Sequence, residues 1–210
     1  GHEIKTPLTI INTNIDILEM EMGENECLSD IAQQTKRLRS LTNDLVMLAR
    51  MEEAEDNMQK IEFPISEIVA ETVQPFRNIA VQQGKEFICK IQPMLTLKGN
   101  DKAIQQLVNI FMDNALKYSP AGGTIAFNMV KQNRTIQLSA FNTTETEINR
   151  EQLSHVFDRF YRMDASRNSE TGGHGIGLSV AQAIVIAHGG KINACTQDGN
   201  SFQVTVSLPV

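Results

Sequence analysis

Two different patterns of apolar positions divide this chain. From residue 3 to about 22, Ile4, Leu8, Ile11, Ile15, Leu18 and Met22 recur at intervals of four and three. That is the seam of a helix packed against other helices. The polar run Gly23-Glu24-Asn25-Glu26 interrupts it and predicts a turn. A second helix, with Ser29 as its start, carries Ile31, Leu38, Leu41, Leu45 and Leu48 on the same kind of seam. Two such helices form an antiparallel hairpin that cannot enclose a core by itself. Because both stripes are narrow and sustained, the expected partner is a second copy, giving a four-helix bundle in a homodimer.

Met51 to Lys60 is charged and aperiodic, and reads as a linker. Beyond it the pattern is mixed. Strands are expected at Ile61–Phe63, Phe87–Ile91, Leu95–Leu97, Thr124–Val130, Ile136–Phe141, Lys191–Thr196 and Ser201–Leu208. Helices are expected over Ile65–Gln83, from Asn100 or Asp101 to Tyr118, near Glu151–Phe157, and over Gly177–His188. The expected fold class is α+β, with a helical hairpin over residues 1–56 and a two-layer α/β sandwich over 57–210.

Composition narrows the function classes. The net charge is −6 and the pI about 5.3, which argues against nucleic acid as partner. No apolar run approaches the roughly 20 residues that span a bilayer, so no direct membrane contact is expected of this segment. Cys27, Cys89 and Cys195 are odd in number and far apart, as reduced structural thiols are. With no Trp and few aromatic residues, the core must be largely aliphatic. A motif-bearing helix that opens at residue 2 suggests a piece of a longer protein.

Three segments carry candidate chemistry. Gly172-Gly173-His174-Gly175-Ile176-Gly177-Leu178 opens a helix, so its amides and the positive end of the helix dipole can meet an anion. Asn114 and Lys117 share one face of a helix; an amide oxygen suits Mg²⁺ and an ammonium suits phosphate. Spacing alone equally allows a structural amide and a solvated lysine there. His2 stands beside Glu3, with Thr6 four residues on. A nucleophilic imidazole at one end and a phosphate cradle at the other suggest phosphoryl transfer from a nucleotide to histidine. His155 and His188 lie at helix surfaces or ends and read as structural.

Together these segments resemble the sensor histidine kinases of two-component signalling. His2-Glu3-Ile4-Lys5-Thr6-Pro7-Leu8-Thr9 is similar to their H-box, and Asn114-Ala115-Leu116-Lys117-Tyr118 to the end of the N-box. Phe157-Asp158-Arg159-Phe160-Tyr161-Arg162 is similar to the F-box, and Gly173-His174-Gly175-Ile176-Gly177-Leu178 to the last glycine box. The resemblance implies a phosphotransfer hairpin followed by a GHKL-type ATP-binding domain, in the cytoplasmic part of a membrane-anchored sensor. It implies that His2 accepts the phosphoryl group, that Glu3 takes the ring proton, and that Thr6 orients a water for dephosphorylating the partner. It implies Mg²⁺ on Asn114, and ATP among Lys117, Tyr118, Tyr161, Arg162, Gly173, His174, Gly175 and Gly177. The implied partner is a response regulator receiver domain. Two positions depart from the family pattern. Ile110 stands where another Asn is usual, and Asn142 replaces the aspartate that accepts the adenine amino group, followed by Thr143-Thr144-Glu145-Thr146-Glu147 without the usual glycines. A mainly phosphatase or scaffolding member, or a GHKL-type ATPase, are the rival readings.

Overall fold

The computed structural model describes residues 2–23, 25–53, 61–163 and 175–210, without the side chains of residues 2–5, 22 and 50–53. Helix α1 spans His2–Met22 and α2 spans Glu26–Glu53. Gly23, at φ 75°, ends α1 in the left-handed conformation that glycine adopts without strain. Asn25, not Ser29, starts α2: its side-chain oxygen accepts the N–H groups of Cys27 (2.9 Å) and Leu28 (3.3 Å). The helix also runs into the expected linker, through Glu53.

The hairpin does not close on the seam that the apolar pattern suggests. Leu8 and Ile15 of α1 are buried, but their buried counterparts on α2 are Thr35 and Thr42. Each threonine hydroxyl donates to a carbonyl one turn back, Ile31 at 2.8 Å and Leu38 at 2.9 Å, so only methyl groups are left to pack. Ile11, Leu18, Ile31, Leu38 and Leu45 stay 39–48% exposed, as a second row at heptad spacing.

The rest of the chain is a sheet covered on one face. Strands β2 (Glu86–Ile91), β4 (Thr124–Gln132), β5 (Thr135–Thr143), β7 (Ser201–Pro209) and β6 (Lys191–Cys195) lie in that spatial order. β2 and β4 are parallel and the other pairs antiparallel. Burial alternates with period two. Ile125, Phe127 and Met129, then Ile136, Leu138 and Ala140, then Val204, Val206 and Leu208 point inward. Helices α3 (Ile65–Gln82), α4 (Asp101–Tyr118) and α6 (Gly177–Ala187) cover that face. A short helix, α5, spans Arg150–His155. The small strand expected at Leu95–Leu97 lies instead at Leu97–Gly99 (β3), paired antiparallel with β1 (Ile61–Phe63).

His188 ties two helices together. Its ring nitrogens are 2.7 Å from the Ile184 carbonyl (Nδ1) and 3.1 Å from the Asn100 amide (Nε2). The carbonyl can only accept, so Nδ1 carries the proton and Nε2 accepts from Asn100. Asn100 in turn caps α4, accepting the Ala103 N–H at 3.0 Å. The ring is 5% exposed, and a Cβ on Gly99 would meet it at 2.5 Å. His188→Ala removes the acceptor and leaves a cavity, so it is expected to cost about 2–4 kcal/mol. Urea denaturation should show a lower midpoint at unchanged slope.

Candidate functional site

α4 has two working faces. Ile104, Leu107, Val108, Phe111 and Ala115 are buried in the core. Gln106, Ile110, Asp113, Asn114 and Lys117 recur on the opposite side and line a cavity of about 520 Å³. The other walls are the first turn of α6, the segment Thr144–Ile148, residues around Tyr161–Met163, and Ser40 and Asp44 of α2.

Of the expected site residues, Asn114, Lys117, Tyr118, Tyr161, Arg162, Gly175 and Gly177 all line this cavity. Asn142 does not. It is 3% exposed in β5, and its side-chain nitrogen donates to the Thr143 carbonyl at 2.9 Å. An aspartate there would lose that donor. Thr6 is exposed on α1. The side chains of His2 and Glu3, and all of Gly173 and His174, lie outside the described residues.

The first turn of α6 forms part of the cavity wall. Ile176 precedes it and supplies no side-chain cap, while Gly177 and Leu178 line the cavity. The early amides of an α-helix have no partner within the helix, so they can serve an anion. Gly175, at φ 69°, holds this turn against the segment after α5. Its carbonyl accepts the Phe160 N–H at 2.9 Å, and a Cβ on it would come within 2.6 Å of the Tyr161 carbonyl oxygen. Phe160 itself has φ 65° and is 62% exposed, an uncommon conformation for an aromatic residue. The glycine thus locks two loops together where no larger residue fits.

Charges in the cleft are crowded. Desolvation pushes the Asp44 carboxyl above its ordinary range, and the like charge of Asp113 pushes it further. Desolvation raises Asp113 as well, partly offset by Lys117. The Lys117 ammonium is pulled below its ordinary value by burial, then by Arg162 and Arg37, with Asp113 opposing. Its Nζ also lies 5.0 Å from the centre of the Tyr118 ring.

Asn114 lines the cavity with an amide oxygen that suits Mg²⁺ if phosphates and waters complete the shell, and Asp113, the residue before it on α4, is also in the lining. Ile110 adds no ligand: it is 7% exposed, and a Cβ on Gly177 would meet its Cγ2 at 3.4 Å. Among the described residues, no group of three or more His, Cys, Asp or Glu could hold a metal by itself. The sequence reading missed Gln106, Asp113, Ser40 and Asp44 as cavity residues. The first two could have been found from their spacing with Lys117. Nothing local marks the two on α2.

Comparison with known proteins bears on the family and the fold. Residues 1–54 match the model of the His Kinase A (phospho-acceptor) domain, and residues 99–210 match that of the histidine kinase-, DNA gyrase B- and HSP90-like ATPases. The chain is 32% identical over 220 residues to the sensor histidine kinase WalK of Bacillus subtilis, covering all of this chain and 35% of that one. It is 28% identical over 210 residues to the sensor protein DltS of Streptococcus agalactiae, covering 52% of that protein. The chain therefore spans about a third to a half of these relatives. Full-length ShkA in complex with AMPPNP superposes with a TM-score of 0.81 at 20% identity, over 99% of this chain and 44% of that one. The histidine kinase AdeS of Acinetobacter baumannii superposes with a TM-score of 0.70 at 22% identity, over 100% and 98%. These two likenesses establish the shared fold. With a phospho-acceptor hairpin ahead of a nucleotide domain of this ATPase family, the chain belongs to the sensor histidine kinases.

Proposed function

We propose that the chain binds Mg²⁺-ATP in the α4–α6 cavity, transfers the γ-phosphoryl group to His2, and passes it to an aspartate of a response regulator receiver domain. The observation that carries this reading is the first turn of α6 in the wall of the cavity that holds Lys117, Arg162 and Asn114, with no side-chain cap from Ile176. It is a site for an anion with a cation-suited amide beside it. ShkA's complex with AMPPNP, on the same fold, supports a nucleotide as the occupant.

In this reading the α6 amides and Lys117 hold the phosphate tail, and Tyr161 and Arg162 cover it. Asn114, with Asp113 beside it, would hold Mg²⁺, which screens the phosphate charge when bound. The bond from γ-phosphorus to the ADP oxygen breaks, and a bond to a His2 ring nitrogen forms. The ring proton passes to Glu3; a positioned base of this kind contributes about 10²–10⁴-fold. Most of the rest is positioning and electrostatic stabilisation, as in other phosphoryl transfers. Thr6, one helical turn beyond His2, is placed to orient a water for the reverse task of dephosphorylating the regulator.

The exposed heptad row on the hairpin supports a homodimer, because a second copy would cover Ile11, Leu18, Ile31, Leu38 and Leu45 in a four-helix bundle. We place the boundary of the nucleotide domain between α2 and β1, close to the expected division at residues 56 and 57, since β1 pairs with β3 and α3 packs on α4. Among the described residues no helix is long and apolar enough to cross a membrane. We take the chain as the cytoplasmic core of a longer sensor.

Incubation with γ-³²P-ATP should give a protein phosphate that is labile in acid and stable in alkali. His2→Gln should abolish the label while calorimetry still shows ATP binding. Label that persists in this variant would move the acceptor elsewhere, and ATP turnover with no label at all would favour a simple ATPase.

Gly175→Ala should weaken ATP binding by about tenfold or more, because the strained φ and the blocked Cβ separate the two loops. Calorimetric titration checks this. Leu38→Glu should convert the dimer to monomer in sedimentation experiments, since the charge would sit in the bundle seam.

A further inference from the structure

We propose that Asp44, carried by the hairpin and not by the nucleotide domain, makes the cavity select magnesium-bound over metal-free nucleotide. This rests on the nucleotide reading above and adds to it a specificity residue outside the ATPase fold.

The first observation is position. Asp44 is half-buried on α2 and, with Ser40, forms part of the cavity wall. The second is that α2 is anchored there. Leu48 of α2 is 4% exposed within the same apolar core as Val180 and Ile184 of α6, with Leu41 and Met47 packed against that core. One helical turn separates Asp44 from Leu48, so the carboxylate is fixed by the seating of its helix.

The third observation is charge. Among the described residues, Asp44, Asp113, Glu145 and Glu147 line the cavity with Lys117 and Arg162, and Arg37 acts on Lys117. Asp44 and Asp113 lie close enough to repel each other, while Lys117 lies within reach of Asp113, Arg162 and Arg37. A cavity for a triphosphate would ordinarily be lined mainly by cations. The carboxylates have a use if the ligand must bring its own positive charge. ATP carries about four negative charges when free and about two with magnesium bound, so a fixed carboxylate in the wall penalises the free form about twice as strongly. The bland alternative is that Asp44 is a solvated rim charge, equally indifferent to both forms.

The two are separated by titrating ATP calorimetrically into the full chain and into Asp44→Asn, once with magnesium and once with EDTA. Asp44→Asn should raise the affinity for metal-free ATP by about threefold or more beyond any gain for magnesium-ATP, with the gap shrinking as salt is added. Asp44→Lys should widen the gap. Equal changes in both arms, or none, would overturn the proposal and leave the nucleotide reading standing. No ATP binding by the unsubstituted chain in either arm would overturn both.

Discussion

Everything at the site depends on α4 being held rigidly between the core and the cavity. One side of this helix is fully buried against α3, α6 and the sheet; the other carries the polar row that faces the ligand space. A helix with buried residues on so wide a face cannot rotate without opening voids, each costly in a close-packed interior. Its ends are pinned as well. Asn100 caps the start, held by His188 at the end of α6. At the other end the Lys85 ammonium donates to the Leu116 carbonyl, where a helix dipole favours a cation. Burial lowers the Lys85 pKa, so the buried ammonium carries a desolvation cost that is relieved, and stability rises, as pH climbs between that lowered value and the ordinary one. Asn114 and Lys117 are therefore placed by contacts far from any ligand.

The opposite wall is built differently. Among the described residues between α5 and α6, the backbone takes positive φ at Phe160 and Gly175, and the Phe160 amide donates to the Gly175 carbonyl at 2.9 Å. α5 has no fully buried residue, although Leu153, Phe157, Tyr161 and Met163 around it pack against the core. The site thus combines a fixed floor with a wall whose geometry rests on one glycine.

Much of this was legible in the sequence because periodicity reports burial. The α4 helix, its Asn100 cap and the alternating strands follow from patterns that burial imposes on each element separately. Asn114, Lys117, Gly175 and Gly177, which line the cavity, stand out in the sequence because they sit in compact local motifs. What escaped was set by contacts between distant segments. The hairpin's inner row includes Thr35 and Thr42, which a count of apolar residues passes over although their methyls pack once the hydroxyls bond to the helix. Asn142 has the spacing of an adenine contact, yet its side chain turns to the neighbouring backbone. Asp44 has no motif around it; only the seating of Leu48 brings it to the cavity.

That seating joins the two halves of the molecule in one equilibrium. If α2 supplies part of the cavity wall, a ligand in the cavity interacts with the hairpin as well as with the nucleotide domain. Any difference in ligand affinity between the seated and unseated hairpin must then appear, with equal magnitude, as a change in how firmly the hairpin is seated. The apolar contacts of Leu41, Met47 and Leu48 favour the seat, while the repulsion between Asp44 and Asp113 opposes it. An interaction balanced in this way can be tipped by the charge of whatever enters the cavity, since charge is what the opposing term responds to. A purely apolar seat would be indifferent to nucleotide. If the cavity takes a nucleotide as proposed, Asp44 and Asp113 in its lining would make the seat respond to the charge of the occupant.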